Sequence, residues 1–345
     1  MELSSSSRDR VDAIFADLDG PRHPGAALLI VDHDEIVYRK CYGAADLDTG
    51  RPITADSSFY LASIAKQFTA MAIMMLAEQR KLNLEDRLST YFPGFPSWGE
   101  EITLRHMLHH ISGLPGYQDF IELRDLFGAT NETVLEGVMQ LPGPEFPAGT
   151  KYAYNDTAYT LLATIVATVS GQSFASFLKS NIFDPFGMTH TVAYDASRPA
   201  RHKLVHGYME EHGQFERWDY PLLTVGDGGL FSTLDDLFLW DQALNTDRLV
   251  PRATLERAFA SGTTDDGVEI GYGFGWHTNS FPGLRHVAHG GSLGAYNNYM
   301  IRFLDTRRTV IVLTNRGPIE PVFRPGGLRG PRPRAHQVAE IFFGG

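Results

Sequence analysis

The sequence predicts an α+β fold, an α/β sandwich. One antiparallel sheet is built from both chain ends and flanked by helices, with an all-helical domain inserted between the two halves. Two observations carry this. Segments with strand patterning occur up to Tyr42 and again after Gly271, whereas Asp86 to Gly229 reads as helices and loops. The chain also has 345 residues, 43% hydrophobic and 21% charged, enough for a large core in about two domains, or one with an insertion. Residues 1–85 and 230–345 then form the sheet domain, and residues 86–229 the insert.

In chain order, Val11 to Leu18 reads as a short helix. Ala26 to Val31 is apolar, Asp32-His33-Asp34 makes a turn and Glu35 to Tyr42 alternates, which is a β-hairpin. From Ser63 to about Arg80, apolar residues recur at Phe68, Met71, Ala72, Met75 and Leu76, and Ala70, Ile73 and Met74 fill the other side; such a helix is buried. The insert holds helices over Thr103–His110, Glu132–Met139, Thr157–Val169 and Ser173–Asn181, punctuated by Gly171 and Asp184-Pro185. Leu234–Ala243 is a further helix. Tyr272–Thr278, Arg285–His289, Asn297–Leu304 and Thr309–Thr314 read as strands, with a hairpin turn at Asp305–Arg308. Arg316 to Arg334, rich in Arg and Pro, reads as a solvated loop, and Ala335–Phe343 as a closing helix.

The formal charge of −11 argues against a nucleic-acid partner. The lone Cys41 rules out an intrachain disulfide. Met1 to Arg10 lacks the apolar run of a signal peptide and no later window would span a bilayer, so a cytoplasmic enzyme without a membrane partner is the expectation. Oligomeric state stays open.

Three stretches can carry chemistry. Ser63 and Lys66, three apart, share one helix face. A desolvated lysine loses its proton more easily, and a neutral amine can take the proton of a serine hydroxyl. Ser63 at a helix N-terminus also sits where N–H groups favour an oxyanion. An N-cap serine beside a solvated lysine fits the same residues. Tyr154-Asn155-Asp156 precedes a helix, so its side chains either reach a cleft or cap and pack. His289-Gly290-Gly291 ends a strand where glycines permit close backbone approach, and His289 either offers charge or a hydrogen bond to substrate or is structural. Gly290-Gly291-Ser292-Leu293-Gly294 matches the G-x-S-x-G elbow, but a strand follows it rather than a helix, so Ser292 is assigned no nucleophilic role. His106, His109 and His110 lack the accompanying Glu or carboxylates of a zinc site, and no metal is expected.

Together, Ser63-x-x-Lys66, Tyr154-Asn155-Asp156 and His289-Gly290-Gly291, in that order, resemble the serine β-lactamase and penicillin-binding-protein-like superfamily. The branch they are similar to contains class C β-lactamases, DD-peptidases, D-aminopeptidases and related esterases. Supporting stretches include His110-Ile111-Ser112-Gly113-Leu114-Pro115, Pro185-Phe186-Gly187-Met188 and Tyr272-Gly273-Phe274-Gly275-Trp276, so the resemblance spans roughly Ala26 to Asn315. It implies a β-lactamase/transpeptidase-like fold with Ser63 as acylated nucleophile and Lys66 and Tyr154 as the base system. The backbone N–H groups of Ser63 and Ser292 would form the oxyanion hole. His289 would stand where lactamases carry lysine, and Asn155, Asp156, Gly290 and Gly291 would meet substrate. No cofactor is implied. The implied function is a serine hydrolase that cleaves a small ester, amide or D-amino-acid peptide through an acyl-enzyme. An acyltransferase, a β-lactamase and a silent penicillin-binding-like sensor domain are the alternatives. Asp156 departs from the usual asparagine: a carboxylate only accepts hydrogen bonds, which disfavours β-lactam recognition. Asp156, and with it Asp227, is expected to meet a substrate amine.

Overall fold

In the computed structural model, residues 5–194, 203–219, 223–278, 283–317 and 334–343 are described. The elements that frame the site are, in chain order, α1 (Ser5–Ile14), β1 (Ala26–Asp32), β2 (Glu35–Tyr42), α2 (Lys66–Glu78), α3 (Asn131–Met139), α4 (Asp156–Ser170), α5 (Leu234–Ala243), β3 (His277–Thr278), β4 (His286–Leu293), β5 (Tyr296–Phe303), β6 (Arg308–Thr314) and α6 (Arg334–Phe343).

Strand β1 shows why the sheet has cover on both faces. Its residues Ala26 to Val31 are all buried. Side chains alternate across a strand, so an unbroken apolar run needs a core on each side. Ala26, Leu28 and Ile30 pack with Val11 and Phe15 next to α6 residues Val338 and Phe343. Ala27, Leu29 and Val31 pack in the core that contains Phe68, Met71 and Trp240. The terminal helices thus cover one face, and α2 and α5 the other.

The sheet runs β3-β4-β5-β6-β1-β2, antiparallel throughout. Its seam joins the two chain ends: β1 pairs β6 from Ala26 opposite Thr314 to Asp32 opposite Arg308. This is the α+β sandwich expected from strands at both ends. No single described helix is long and apolar enough to cross a membrane.

Three expectations need correction. The insert is not all-helical. It carries Val192–Ala193, which pairs with Leu230–Ser232, and a hairpin of Tyr208–Glu211 with Gln214–Arg217. The hairpin is mostly polar, with only Tyr208 buried among those residues, so it gave no apolar alternation to read. Tyr272–Thr278 is not one strand; it folds back so that Tyr272 bridges His277, and the strand β3 is His277–Thr278 alone. Gly275 has φ +79 there, and a Cβ on it would lie 2.7 Å from the Lys66 carbonyl oxygen, so a loop is packed flush against the start of α2. Finally, the Ser63 segment opens with a 3₁₀ turn, Ala62–Ala65, and the α-helix starts only at Lys66. Most of the Arg/Pro-rich stretch lies outside the described residues.

Candidate active site

Ser63 sits in that 3₁₀ turn, half-buried. Ala62 before it has φ 48, left-handed backbone that costs a side-chain-bearing residue about 1–3 kcal/mol. The surroundings hold it there. Leu61 N–H donates to the Leu230 carbonyl at 2.8 Å, and Asn298 Nδ2 donates to the Tyr60 carbonyl at 2.8 Å. Gly291 of β4 lies so close that a Cβ there would stand 2.0 Å from the Leu61 carbonyl oxygen. On β4, β3 pairs with Val287 and Ala288. Beyond them Gly291 packs against the Ser63 turn, and Ser292 has its residue surface exposed. Gly294 (φ 55) then turns the chain into β5, so a strand and not a helix follows Ser292, as its exclusion as nucleophile requires.

Lys66 is fully buried. Its Nζ donates to Ser63 Oγ at 3.2 Å, Asp156 Oδ1 at 2.6 Å and the Asp227 carbonyl at 2.9 Å. Three acceptors match the three hydrogens of an ammonium. Burial works to discharge the lysine, but the carboxylate of Asp156 in contact with it, with Asp227 behind, outweighs this and holds the proton above the ordinary lysine range. The desolvation that would discharge the amine is thus opposed by a carboxylate in direct contact with it.

Tyr154 is 39% exposed, with its ring centroid 4.8 Å from Lys66 Nζ. Burial of its hydroxyl end pushes the phenol up to about 12, against the pull of Lys66 and of hydrogen bonding to Lys66 and Ser63. One residue fixes its position. The His110 carbonyl accepts from Ala153 N–H at 2.9 Å, His110 Nδ1 accepts from Asn155 N–H at 3.0 Å, and the two rings lie 4.4 Å apart. His110 is itself left-handed, φ 58. Since Nδ1 accepts, the ring proton is on Nε2, which has no hydrogen-bond partner among the described residues.

Several expected substrate contacts are not available. Asn155 is the N-cap of α4, accepting from Ala158 N–H at 2.7 Å and donating to the Leu114 carbonyl at 2.5 Å. Asp156 faces inward, one oxygen on Lys66 and the other accepting from Gln118 Nε2 at 2.9 Å. Asp227 is buried, its carboxylate accepting from Tyr117 OH at 2.8 Å; burial and then Asp156 raise its proton affinity. His289 is 1% exposed. Its Nδ1 is 2.7 Å from the Gly290 carbonyl, which can only accept, so Nδ1 carries the proton and Nε2 accepts from Tyr272 OH at 2.9 Å. Burial, His277 and Lys66 hold it neutral. It presents neither charge nor a free ring nitrogen to a substrate, and it stands behind the site, its ring 6.1 Å from that of Tyr154. The histidines read as a weak metal motif are also engaged: His106 Nδ1 accepts from Thr103 N–H, and His109 Nδ1 lies 3.1 Å from the Tyr272 carbonyl.

Ser63, Lys66 and Tyr154 thus converge, and Gly291 brings β4 against them. The surrounding wall of His110, Tyr272 and His277 was not read as part of the site; Gln118 was not singled out either. Tyr272 had the signal of two flanking glycines, while nothing local marks Gln118.

Comparison with known proteins identifies the family of the chain. The family profile described as Beta-lactamase matches residues 11–327. Penicillin-binding protein 4* of Bacillus subtilis is 34% identical over 333 residues, covering 91% of this chain and 73% of that protein. A D-aminopeptidase of Gluconobacter oxydans is 27% identical over 85% of this chain and 56% of its own length. The octameric penicillin-binding protein homologue from Pyrococcus abyssi superimposes with a TM-score of 0.78 at 26% identity, over 90% of this chain and 73% of that one. The chain belongs to the Beta-lactamase family, a group of serine hydrolases with the penicillin-binding-protein fold.

Proposed function

We propose that this chain is a serine hydrolase with a Ser63–Lys66–Tyr154 centre, acting through a covalent acyl-enzyme on a small ester, amide or D-amino-acid peptide. The observation that carries it is Lys66 Nζ, buried and bonded to Ser63 Oγ beneath the Tyr154 ring. In acylation the Ser63 proton passes to the base system while Oγ bonds the substrate carbonyl carbon. The carbonyl electron pair moves to oxygen, where the backbone N–H groups of Ser63 and Ser292 would receive it. Collapse of this adduct expels the alcohol or amine, which takes the proton back from the base. Water then loses a proton to the same base, attacks the acyl ester and frees Ser63.

The inward-facing Asp156 and the buried Asp227 remove the argument for a substrate amine resting on them. The resemblance to a D-aminopeptidase still supports an amide substrate. The test is a short-chain nitrophenyl ester with a fluorophosphonate probe. Wild type should give a burst and a single adduct on Ser63 by mass. Ser63→Ala should lose turnover by about three orders of magnitude or more. Full turnover in that variant would sink the assignment.

A further inference from the structure

Position 156 decides how easily this centre gives up a proton. We propose that Asp156 is a brake on the Ser63 nucleophile: its carboxylate resists removal of a proton from either Lys66 or Tyr154. The proposal rests on the reading of Ser63, Lys66 and Tyr154 as nucleophile and base system. Asp156 is the first residue of α4 and lies 2.6 Å from the Nζ of the fully buried Lys66. Gln118 Nε2 holds the second oxygen at 2.9 Å, so the carboxylate cannot swing out to a substrate without losing two partners. Neutral Lys66 could still aim a lone pair at Ser63 and keep its bonds to Asp156 and the Asp227 carbonyl. Reaching that state separates a proton from a buried carboxylate-paired ammonium, which low-dielectric surroundings make costly. Ionising Tyr154 instead places a phenolate near the same carboxylate, and Asp156 disfavours that too. The sign is therefore the same whichever group is the base.

The other groups facing Lys66 do not reverse it. Tyr154 and Tyr159 place their rings 4.8 and 5.6 Å from Nζ. Asp227 adds negative charge from its own loop, tied to Tyr117. Ser63 and Tyr152 are polar and uncharged neighbours. His110, His277 and His289, from the loop after Leu108, β3 and β4, are all held neutral chiefly by burial. Among these, Asp156 is the carboxylate in direct contact with the ammonium.

The experiment is the pH dependence of Ser63 labelling by a fluorophosphonate, measured on the full chain as wild type, Asp156→Asn and Asp156→Ser. Labelling reports the nucleophile without a deacylation step. In wild type the rate should still be climbing above about pH 9. In both variants the rise should move to lower pH by about one unit or more, giving on the order of tenfold faster labelling at pH 7. Curves that superimpose on wild type, a move to higher pH, or loss of the folded circular-dichroism spectrum in both variants would each overturn the brake. Absence of any adduct on wild-type Ser63 would instead sink the underlying enzymatic reading, so the two failures are distinct.

Discussion

Two ion pairs in this molecule look alike by distance and differ in what surrounds them. Arg302 Nε meets Asp241 Oδ1 at 2.6 Å in the core between β5 and α5, with side chains 4% and 2% exposed. Lys66 Nζ meets Asp156 Oδ1 at the same distance, with side chains 0% and 26% exposed. The core pair is set among protein groups: Arg302 also donates to the Asn245 side chain and the Asp241 carbonyl, Thr309 donates to Asp241, and the buried Arg302 Nη1 has no partner among the described residues. The other pair spends one hydrogen of its ammonium on the hydroxyl of Ser63, a half-buried residue. Burial of a charge is thus common to both pairs. What separates them is that Lys66 gives one hydrogen to a hydroxyl-bearing residue that is only half-buried.

The sharpest way to break this contrast is to remove each cation. Lys66→Met should lower kcat/KM by about three orders of magnitude or more, with a modest change in melting temperature because Asp156 keeps Gln118 and some solvent. Arg302→Met should do the reverse. It strands Asp241 in the core, which costs about 3–5 kcal/mol and lowers Tm by on the order of 10 °C, while the folded fraction keeps its turnover. Parallel losses of activity and stability in both variants would erase the distinction.

Backbone contact is the next test, because the site depends on it more than the core pair does. A methyl on Gly291 would lie 2.0 Å from the Leu61 carbonyl oxygen, which is backbone and cannot swing aside. Gly291→Ala should push β4 off the Ser63 turn and cost about a hundredfold in kcat, since misplacement by about 1 Å carries that penalty. A variant with unchanged kcat would mean that the two backbones need not touch for catalysis.

The contrast also explains what the sequence could reveal. Ser63, Lys66 and Tyr154 were singled out because three short motifs, each open to a bland reading alone, stand in the order of a known superfamily. The sheet was legible because β1 is apolar from Ala26 to Val31 and β6 complements it. Asp156 was found but given the wrong partner: whether it faces substrate or Lys66 depends on how α4 packs on α2, which no local pattern encodes. His289 was misread for the same reason, since burial behind Tyr272 is set by a loop that sequence patterning took for a strand. His110 was seen only as a motif residue, because left-handed backbone at a histidine leaves no trace in composition. The hairpin of Tyr208–Glu211 with Gln214–Arg217 was missed because it has too little apolar surface to alternate.

The histidines flanking the site give a stability signature. Burial depresses the proton affinity of His110, His277 and His289, that of His277 to about 4. In the unfolded chain they titrate near the ordinary value of about 6.5. Between those values the unfolded state binds more protons, so stability is intact above about pH 6.5 and is lost as pH falls toward 4. Asp227, whose proton affinity is raised, works against this in part of the same window. Tm should therefore drop between pH 7 and pH 5, by an amount worth about 1–3 kcal/mol, and His277→Gln should flatten the slope. An equal Tm at both values would mean these rings take up protons without cost.

The smallest effect expected is at Tyr272, and it separates two roles for His289. The phenol donates to His289 Nε2 at 2.9 Å, while its ring packs T-shaped against His110 at 4.6 Å. Tyr272→Phe keeps the ring and removes the donor, leaving a buried nitrogen unpaired at a cost of about 1–3 kcal/mol of stability. If His289 only backs the Tyr154 wall, kcat should fall a few-fold, less than about tenfold, with KM unchanged. If the freed Nε2 instead served as a substrate contact, KM would move and kcat would not. Steady-state kinetics on one ester across both proteins decides between them, because a residue that acts through Tyr154 can alter the rate of proton transfer but has no surface with which to alter binding.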